Sequence, residues 1–154
     1  MKVRLTKQED IPALDLVLDG TGLFPSDMLP DMIAPYFSIE ETPDVWLTCE
    51  LEGTPIGFCY AIPEPHTDGT WNMLAIAVLP ERQGNGAGAA IVKALEDKLQ
   101  EEGRRVLIVD TSGTDAYTKA RNFYLKIGYT QEARLRDFWA EGDDKVVFWK
   151  SLKA

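Results

Sequence analysis

Three glycines at alternate positions constrain this chain more than any other feature. They lie in Gln83-Gly84-Asn85-Gly86-Ala87-Gly88-Ala89-Ala90, between an apolar strand-like run at 73–79 and a helical pattern at 86–102. Glycine has no Cβ, so a ligand can approach such backbone closely. A helix that starts there leaves its first N–H groups without internal partners, and its dipole favours negative charge at that end. The junction therefore predicts an anion site suited to phosphate. Glycine at helix-start positions costs stability, so three within five residues call for a reason.

The rest of the chain reads as what surrounds that site. Residues 2–5 form a short β run. A helix is expected from about 8 to 18, with Ile11, Leu14 and Leu18 on one face; Thr6 and Glu9 resemble a capping box, but Pro12 then falls too deep in the helix. A second helical stretch follows from Pro25 to about Tyr36. Runs at 45–51 and 56–62 flank Glu52-Gly53-Thr54-Pro55 as a hairpin, and 71–79 makes a third strand of an antiparallel meander. The pattern then changes. A helix at 86–102 carries Ala87, Ala90, Ile91, Ala94, Leu95 and Leu99 at 3- and 4-residue spacing and ends at Gly103. A buried-type strand at 105–109, a helix at 116–127, and final strands at 129–135 and 145–152 complete it. Strand–helix–strand order implies a parallel component in a mixed α/β sheet. With 154 residues and no linker or repeat, residues 1–154 read as one domain.

The net charge of −9 argues against nucleic-acid binding, which needs basic surface. No run reaches the ~18 apolar residues of a membrane span and no signal-peptide pattern is present, so a cytoplasmic protein without membrane partners is expected. Cys49 and Cys59 lie on the two arms of the hairpin and are expected as buried free thiols. One histidine and no Cys-x-x-Cys motif leave no expected metal site.

Three anions compete for the glycine loop. A mononucleotide loop needs Gly-Lys-Ser/Thr, which Gly88-Ala89-Ala90 does not supply. A dinucleotide fingerprint matches in degenerate form at Gly84-x-Gly86-x-x-Ala89, but residues 80–83 separate strand from glycines and a meander precedes them. The third is the pyrophosphate of coenzyme A. Gln83-Gly84-Asn85-Gly86-Ala87-Gly88, preceded by Ala77-Val78-Leu79-Pro80, resembles the Gln/Arg-x-x-Gly-x-Gly/Ala signature of the GNAT superfamily of N-acetyltransferases. Ala120-Arg121-Asn122-Phe123-Tyr124-Leu125-Lys126-Ile127-Gly128-Tyr129 is similar to its Ala-x-x-x-Tyr-x-x-x-Gly-Phe segment. Arg136-Asp137-Phe138 with Gly142-Asp143-Asp144 looks like a subgroup of small members.

The resemblance spans essentially the whole chain. It implies the GNAT fold, a central mixed sheet of about six or seven strands with about four helices. It implies acetyl-CoA as cosubstrate and direct transfer of acetyl to a primary amine: a small amine, a lysine or a peptide N-terminus. It places the pyrophosphate on the backbone of Gln83, Gly84, Asn85, Gly86, Ala87, Gly88 and Ala89. Pantetheine would lie along the strand edge at Ile76, Ala77 and Val78, with the Val78 N–H, freed by a splay or bulge, facing the thioester oxygen. Tyr124 matches the family's general acid. Tyr117 stands where many members have a cofactor-binding asparagine, which leaves that contact open. The amine needs a base, because alkyl ammonium groups titrate near ~10.4. Asp110 at a strand end and Glu64 in the loop before the third strand are the candidates, with His66 and Asp68 beside Glu64. Trp71, Phe138, Trp139 and Trp149 are candidate linings of an acceptor pocket, weighed against plain core packing. Asp137, Asp143 and Asp144 are read as a cation site or as a solvated turn. A homodimer through the C-terminal strands is also expected. The alternative to an enzyme is a non-catalytic acyl-CoA-binding regulatory module.

Overall fold

The computed structural model describes residues 1–153. Seven strands form one mixed sheet: β1 Lys2–Leu5, β2 Val45–Leu51, β3 Thr54–Pro63, β4 Thr70–Val78, β5 Val106–Ser112, β6 Thr130–Ala140 and β7 Asp143–Ser151. Their order is β1-β2-β3-β4-β5-β7-β6, and only β4 and β5 are parallel neighbours. Four helices flank the sheet: α1 Ile11–Thr21, α2 Leu29–Ser38, α3 Ala87–Glu101 and α4 Thr118–Lys126. The predicted meander is β2-β3-β4, and the predicted crossover is β4-α3-β5.

Each face of the sheet has its own core. Leu14, Val17 and Leu18 of α1 and Leu29 and Ile33 of α2 bury against Trp46, Phe58, Ala75 and Ala77, so this layer draws on β2, β3 and β4 only. Ile91, Val92, Leu95 and Leu99 of α3 and Tyr124 of α4 bury on the other face, against residues of β2, β3, β4, β5 and β7. On the α1/α2 side the half of the sheet made by β5, β7 and β6 therefore carries no helix, and Trp149 remains exposed there.

Several boundaries differ from the sequence expectations for local physical reasons. Residues Gln8–Asp10 form a 3-10 turn and α1 starts at Ile11, which puts Pro12 in the first turn where its missing N–H costs nothing. The Asp10 carboxylate, not Glu9, accepts the Lys7 N–H at 2.7 Å, while the Thr6 hydroxyl pairs with that of Thr48. Strand β5 runs on to Ser112, so Asp110 is inside it and pairs with Val147, rather than standing at its end. Strand β6 reaches Ala140 through a bulge between Leu135 and Ala140 that the polar Arg136-Asp137 pair had hidden. Cys49 and Cys59 are free and buried, as expected. No described helix is long and apolar enough to cross a membrane.

Two irregularities open the middle of the sheet. Strands β4 and β5 pair only over Thr70–Asn72 with Val106–Ile108, then part. In the β3–β4 ladder, Tyr60 faces Ala75 and Ala61 faces Met73, so Leu74 is an extra, bulged residue, half exposed. Beyond Asn72 the β5-facing edge of β4 is unpaired.

Candidate active site

The gap between β4 and β5 collects most of the candidate residues. Leu79 N–H bonds back to Ile56 O at 2.8 Å. Backbone groups alternate in direction along a strand, so the Val78 N–H and carbonyl turn the other way, into the gap. The Gln83 side-chain amide donates to that carbonyl at 2.9 Å, and Lys119 at the start of α4 donates to Gln83 Oε1 at 3.2 Å. Gln83 thus spans the gap from β4 to α4.

The glycine loop ends at the N-terminus of α3. Gly84 and Gly86 have φ of +82° and +89°, a region that side chains resist. Gly86 is the N-cap and brings no side-chain cap; the first intrahelical bond is Ala90 N–H to Gly86 O. The N–H groups of Ala87, Gly88 and Ala89 therefore lack helical acceptors. A Cβ on Gly84 would meet nothing within 4 Å, so open space lies beside the loop. These residues fit a diphosphate. Gly88 has a different reason: a Cβ there would stand 3.3 Å from the Phe123 ring, so its smallness lets α3 and α4 approach.

Tyr124 is buried among Phe123, Tyr129 and Phe148, with ring centroids 5.3, 6.0 and 5.3 Å away. Burial pushes its phenol well above the usual tyrosine range, so it holds its proton near neutrality. No side-chain hydrogen bond engages its hydroxyl among the described residues. Tyr117 lies half exposed at the N-cap of α4.

On the other side of the gap, β4, β5 and β7 meet the loop that follows β3. Asn72 of β4 is 4% exposed; its Nδ2 donates to Glu64 Oε1 at 2.8 Å and to Asp110 Oδ2 at 3.2 Å. Both partners are carboxylates, which fixes the amide orientation, because the reverse would set oxygen against oxygen. Lys145 Nζ of β7 stands 3.4 Å from Asp110 Oδ2 and 4.4 Å above the Phe138 ring. Asn72 Oδ1 and Asp110 Oδ1 are buried and have no partner. The two proposed bases, Glu64 and Asp110, are thus brought together. His66 and Asp68 are not: both are exposed in the loop beyond Glu64, His66 with φ +65°.

The sequence reading missed Asn72 and Lys145. A lone polar residue inside the apolar run 71–79 was a signal for Asn72. Lys145 carried none, because its place depends on the β5–β7 register that sets it opposite Ser112.

The aromatic candidates divide. Trp71 is 4% exposed in the α3-side core, because it alternates with Asn72 and faces the other way; it is not an acceptor residue. It borders a separate open hollow of about 580 Å³ with Tyr36, Phe37 and Arg104, at the far end of α3 from the glycine loop. Phe138 and Trp139 are half exposed and packed edge to face at 4.8 Å, and the Trp139 indole donates to Thr111 O beside Asp110. Three carboxylates of the β6–β7 corner are tied into it by hydrogen bonds. Asp137 Oδ1 accepts from Gly142 N–H, Asp143 from the Ser112 hydroxyl, and Asp144 from Arg134 and the Asp137 N–H. They hold the bulge that presents Phe138 and Trp139. The described residues contain no group of three or more metal-type ligands.

The model of the acetyltransferase (GNAT) family matches residues 15–129, more than half of the chain. The chain belongs to the GNAT family. An uncharacterized N-acetyltransferase of Methanocaldococcus jannaschii is 26% identical over 111 residues, covering 70% of this chain and 67% of the relative. The crystal structure of a GNAT-family acetyltransferase from Desulfovibrio desulfuricans, described there as putative, superposes with a TM-score of 0.90 at 26% identity, covering 98% of each chain. The structure of a Salmonella typhimurium protein described as a putative acetyltransferase, solved with acetyl-CoA, shares the fold, with a TM-score of 0.80 at 18% identity over 100% of this chain and 95% of that one. The GNAT fold expected from the two motifs is the fold observed.

Proposed function

We propose that this GNAT protein transfers acetyl from acetyl-CoA to a primary amine by direct attack in a ternary complex. One observation carries the reading: β4 and β5 part after Asn72, and the gap has uncapped helix N–H groups at one end and an amide-linked pair of carboxylates on its other side. Acetyl-CoA supplies an acetyl group activated as a thioester. The N–H groups of Ala87, Gly88 and Ala89, with the backbone from Gln83 to Gly86, hold its diphosphate. The edge at Ile76, Ala77 and Val78 takes the pantetheine arm as an added strand, and Tyr117 flanks it. The Val78 N–H faces the acyl oxygen; one such donor lowers the barrier by about 3 kcal/mol. Asp110 or Glu64 takes a proton from the acceptor ammonium. The freed nitrogen lone pair forms the C–N bond as the C–S bond breaks, the sulfur takes the Tyr124 proton, and the second proton released by the nitrogen passes to solvent, which reprotonates Tyr124.

An acyl-enzyme has no support. Cys49 and Cys59 are buried, and burial pushes the Cys59 thiol up to about 12, far from a reactive thiolate. The test is a steady-state study by thiol release. Intersecting velocity patterns, a rise in melting temperature with coenzyme A and not with NAD, and a fall in kcat of about 10-fold in Tyr124→Phe with acetyl-CoA affinity kept are expected. Binding of acetyl-CoA with no turnover of any amine would leave a regulatory acyl-CoA-binding module instead.

A further inference from the structure

The Glu64–Asn72–Asp110–Lys145 cluster is incomplete in a way that specifies its ligand. Two carboxylates and one ammonium leave it one net negative charge. Two of its oxygens, Asn72 Oδ1 and Asp110 Oδ1, are buried without a donor. Buried acceptors are normally satisfied, and a buried negative charge needs a partner. What is missing is a group with several N–H donors, no acceptor and one positive charge. A primary ammonium has that inventory.

The surroundings say what carries the ammonium. From Asp110 the contacts run to Lys145, to the Phe138 ring and to Trp139, whose indole returns to Thr111 beside Asp110. Leu74, on the β4 bulge two residues from Asn72, is 49% exposed, and Phe138 and Trp139 are 50% and 49% exposed. Large apolar side chains left open around one polar cluster mark a binding surface. Asp137, Asp143 and Asp144 of the neighbouring turn are each engaged in hydrogen bonds within the β5–β7–β6 corner. Lys145 repels a second positive charge. An acceptor with its own carboxylate next to the amine would set it against Glu64 and Asp110.

We propose, resting on the transferase reading above, that the acceptor is a primary monoamine carried on an apolar body of aromatic size. Its ammonium completes the Glu64–Asn72–Asp110 cluster, its body lies on Phe138, Trp139 and Leu74, and Lys145 sets specificity by excluding polycations.

The test measures acetyl transfer to 2-phenylethylamine, phenylalanine, spermidine, kanamycin and a short peptide with a free N-terminus. The expected kcat/KM for 2-phenylethylamine exceeds each of the others by about ten-fold or more. In Phe138→Ala its KM rises about ten-fold with kcat and the acetyl-CoA KM little changed, and Phe138→Leu restores part of the loss. Lys145→Met raises kcat/KM for spermidine about ten-fold. Calorimetric titration of 2-phenylethylamine into the coenzyme A complex follows the same order without turnover, and circular dichroism confirms that each variant folds. Preference for kanamycin, spermidine, phenylalanine or the peptide overturns this proposal while the transferase reading stands, as does an unchanged KM in Phe138→Ala. Tight acetyl-CoA binding with no amine acetylated overturns both.

Discussion

Two clusters in this protein have the same charged inventory and opposite states of completion. Arg4 of β1 meets Asp10 and Glu50; Lys145 meets Asp110, which shares Asn72 with Glu64. Each holds two acids and one base. In the first, the Arg4 guanidinium donates to both oxygens of Asp10 at 2.7 and 2.9 Å and to Glu50 at 2.8 Å, and the Lys7 N–H adds a further bond. In the second, two buried oxygens have no donor. The planar arginine fork closes its cluster; the lysine is a point charge and leaves its cluster open. Net charge does not separate the two. Hydrogen-bond completion does: one cluster ties β1 to the turn that opens α1, and the other keeps two buried oxygens without a donor.

The largest expected effect tests the open cluster. Asp110→Asn removes a candidate base, and turnover falls by about 100-fold or more. Its stability changes by about 1 kcal/mol or less, because the amide keeps an oxygen to accept the Asn72 bond and replaces a carboxylate whose other oxygen is buried without a donor. Stopped thiol release and urea unfolding on the same sample read both numbers. A large loss of stability with activity kept would reverse the assignment of the two clusters.

The converse variant is Asp10→Asn. It breaks a nearly buried pair and costs about 3 kcal/mol of unfolding free energy, with the folded fraction fully active. Its pH dependence is also fixed in sign. The bonds from Arg4 hold the Asp10 carboxyl below its ordinary range, burial opposes them and the Lys7 N–H assists. A lowered native value means the stabilisation is complete above the unfolded value near ~3.9 and is lost as pH falls through the native one. Urea midpoints of wild type and Asp10→Asn should therefore run parallel above about pH 4 and converge below it. A gap that widens on acidification would show that Asp10 does not titrate as a paired carboxylate.

The same contrast explains what was legible in the sequence. The cofactor side is built from backbone, and backbone demands glycine at particular positions. Gly84, Gly86 and the Ala120–Tyr129 segment therefore stood out in the linear chain, and with them the fold. The proposed acceptor side is built from side chains on β4, β5, β6 and β7 and on the loop after β3. Glu64 and Asp110 were readable as acids near strand ends, but their union needed Asn72, one polar residue inside an apolar run. Lys145 needed a register that only the β5–β7 pairing defines. The length of β6 was hidden because its bulge is made from polar residues that read as loop. A smaller prediction tests the backbone side alone. Gly86→Val forces a β-branched residue to φ +89°, at about 1–2 kcal/mol, yet its Cβ would meet only Met1 Cε at 3.9 Å. Acetyl-CoA affinity should fall about 10-fold with the amine KM unchanged. A change in the amine KM would mean the two sides are not separable.

The smallest effect sharpens the division within the loop itself. Gly88 has helical backbone, so alanine there gains about 1 kcal/mol of helix propensity. Its Cβ would press on Phe123 Cε1 and Cζ at 3.3 Å, and the two effects nearly cancel in the single variant. In a Phe123→Leu background the crowding is relieved and Gly88→Ala becomes stabilising by about 1 kcal/mol, a non-additivity that thermal unfolding of the four-protein cycle measures. That result would assign Gly88 to the contact between α3 and α4 and leave the anion to Gly84, Gly86 and the free N–H groups. If Gly88→Ala instead weakens acetyl-CoA about 10-fold with stability unchanged in both backgrounds, the bare backbone at Gly88 is part of the ligand's bed, and all three glycines answer to the phosphate.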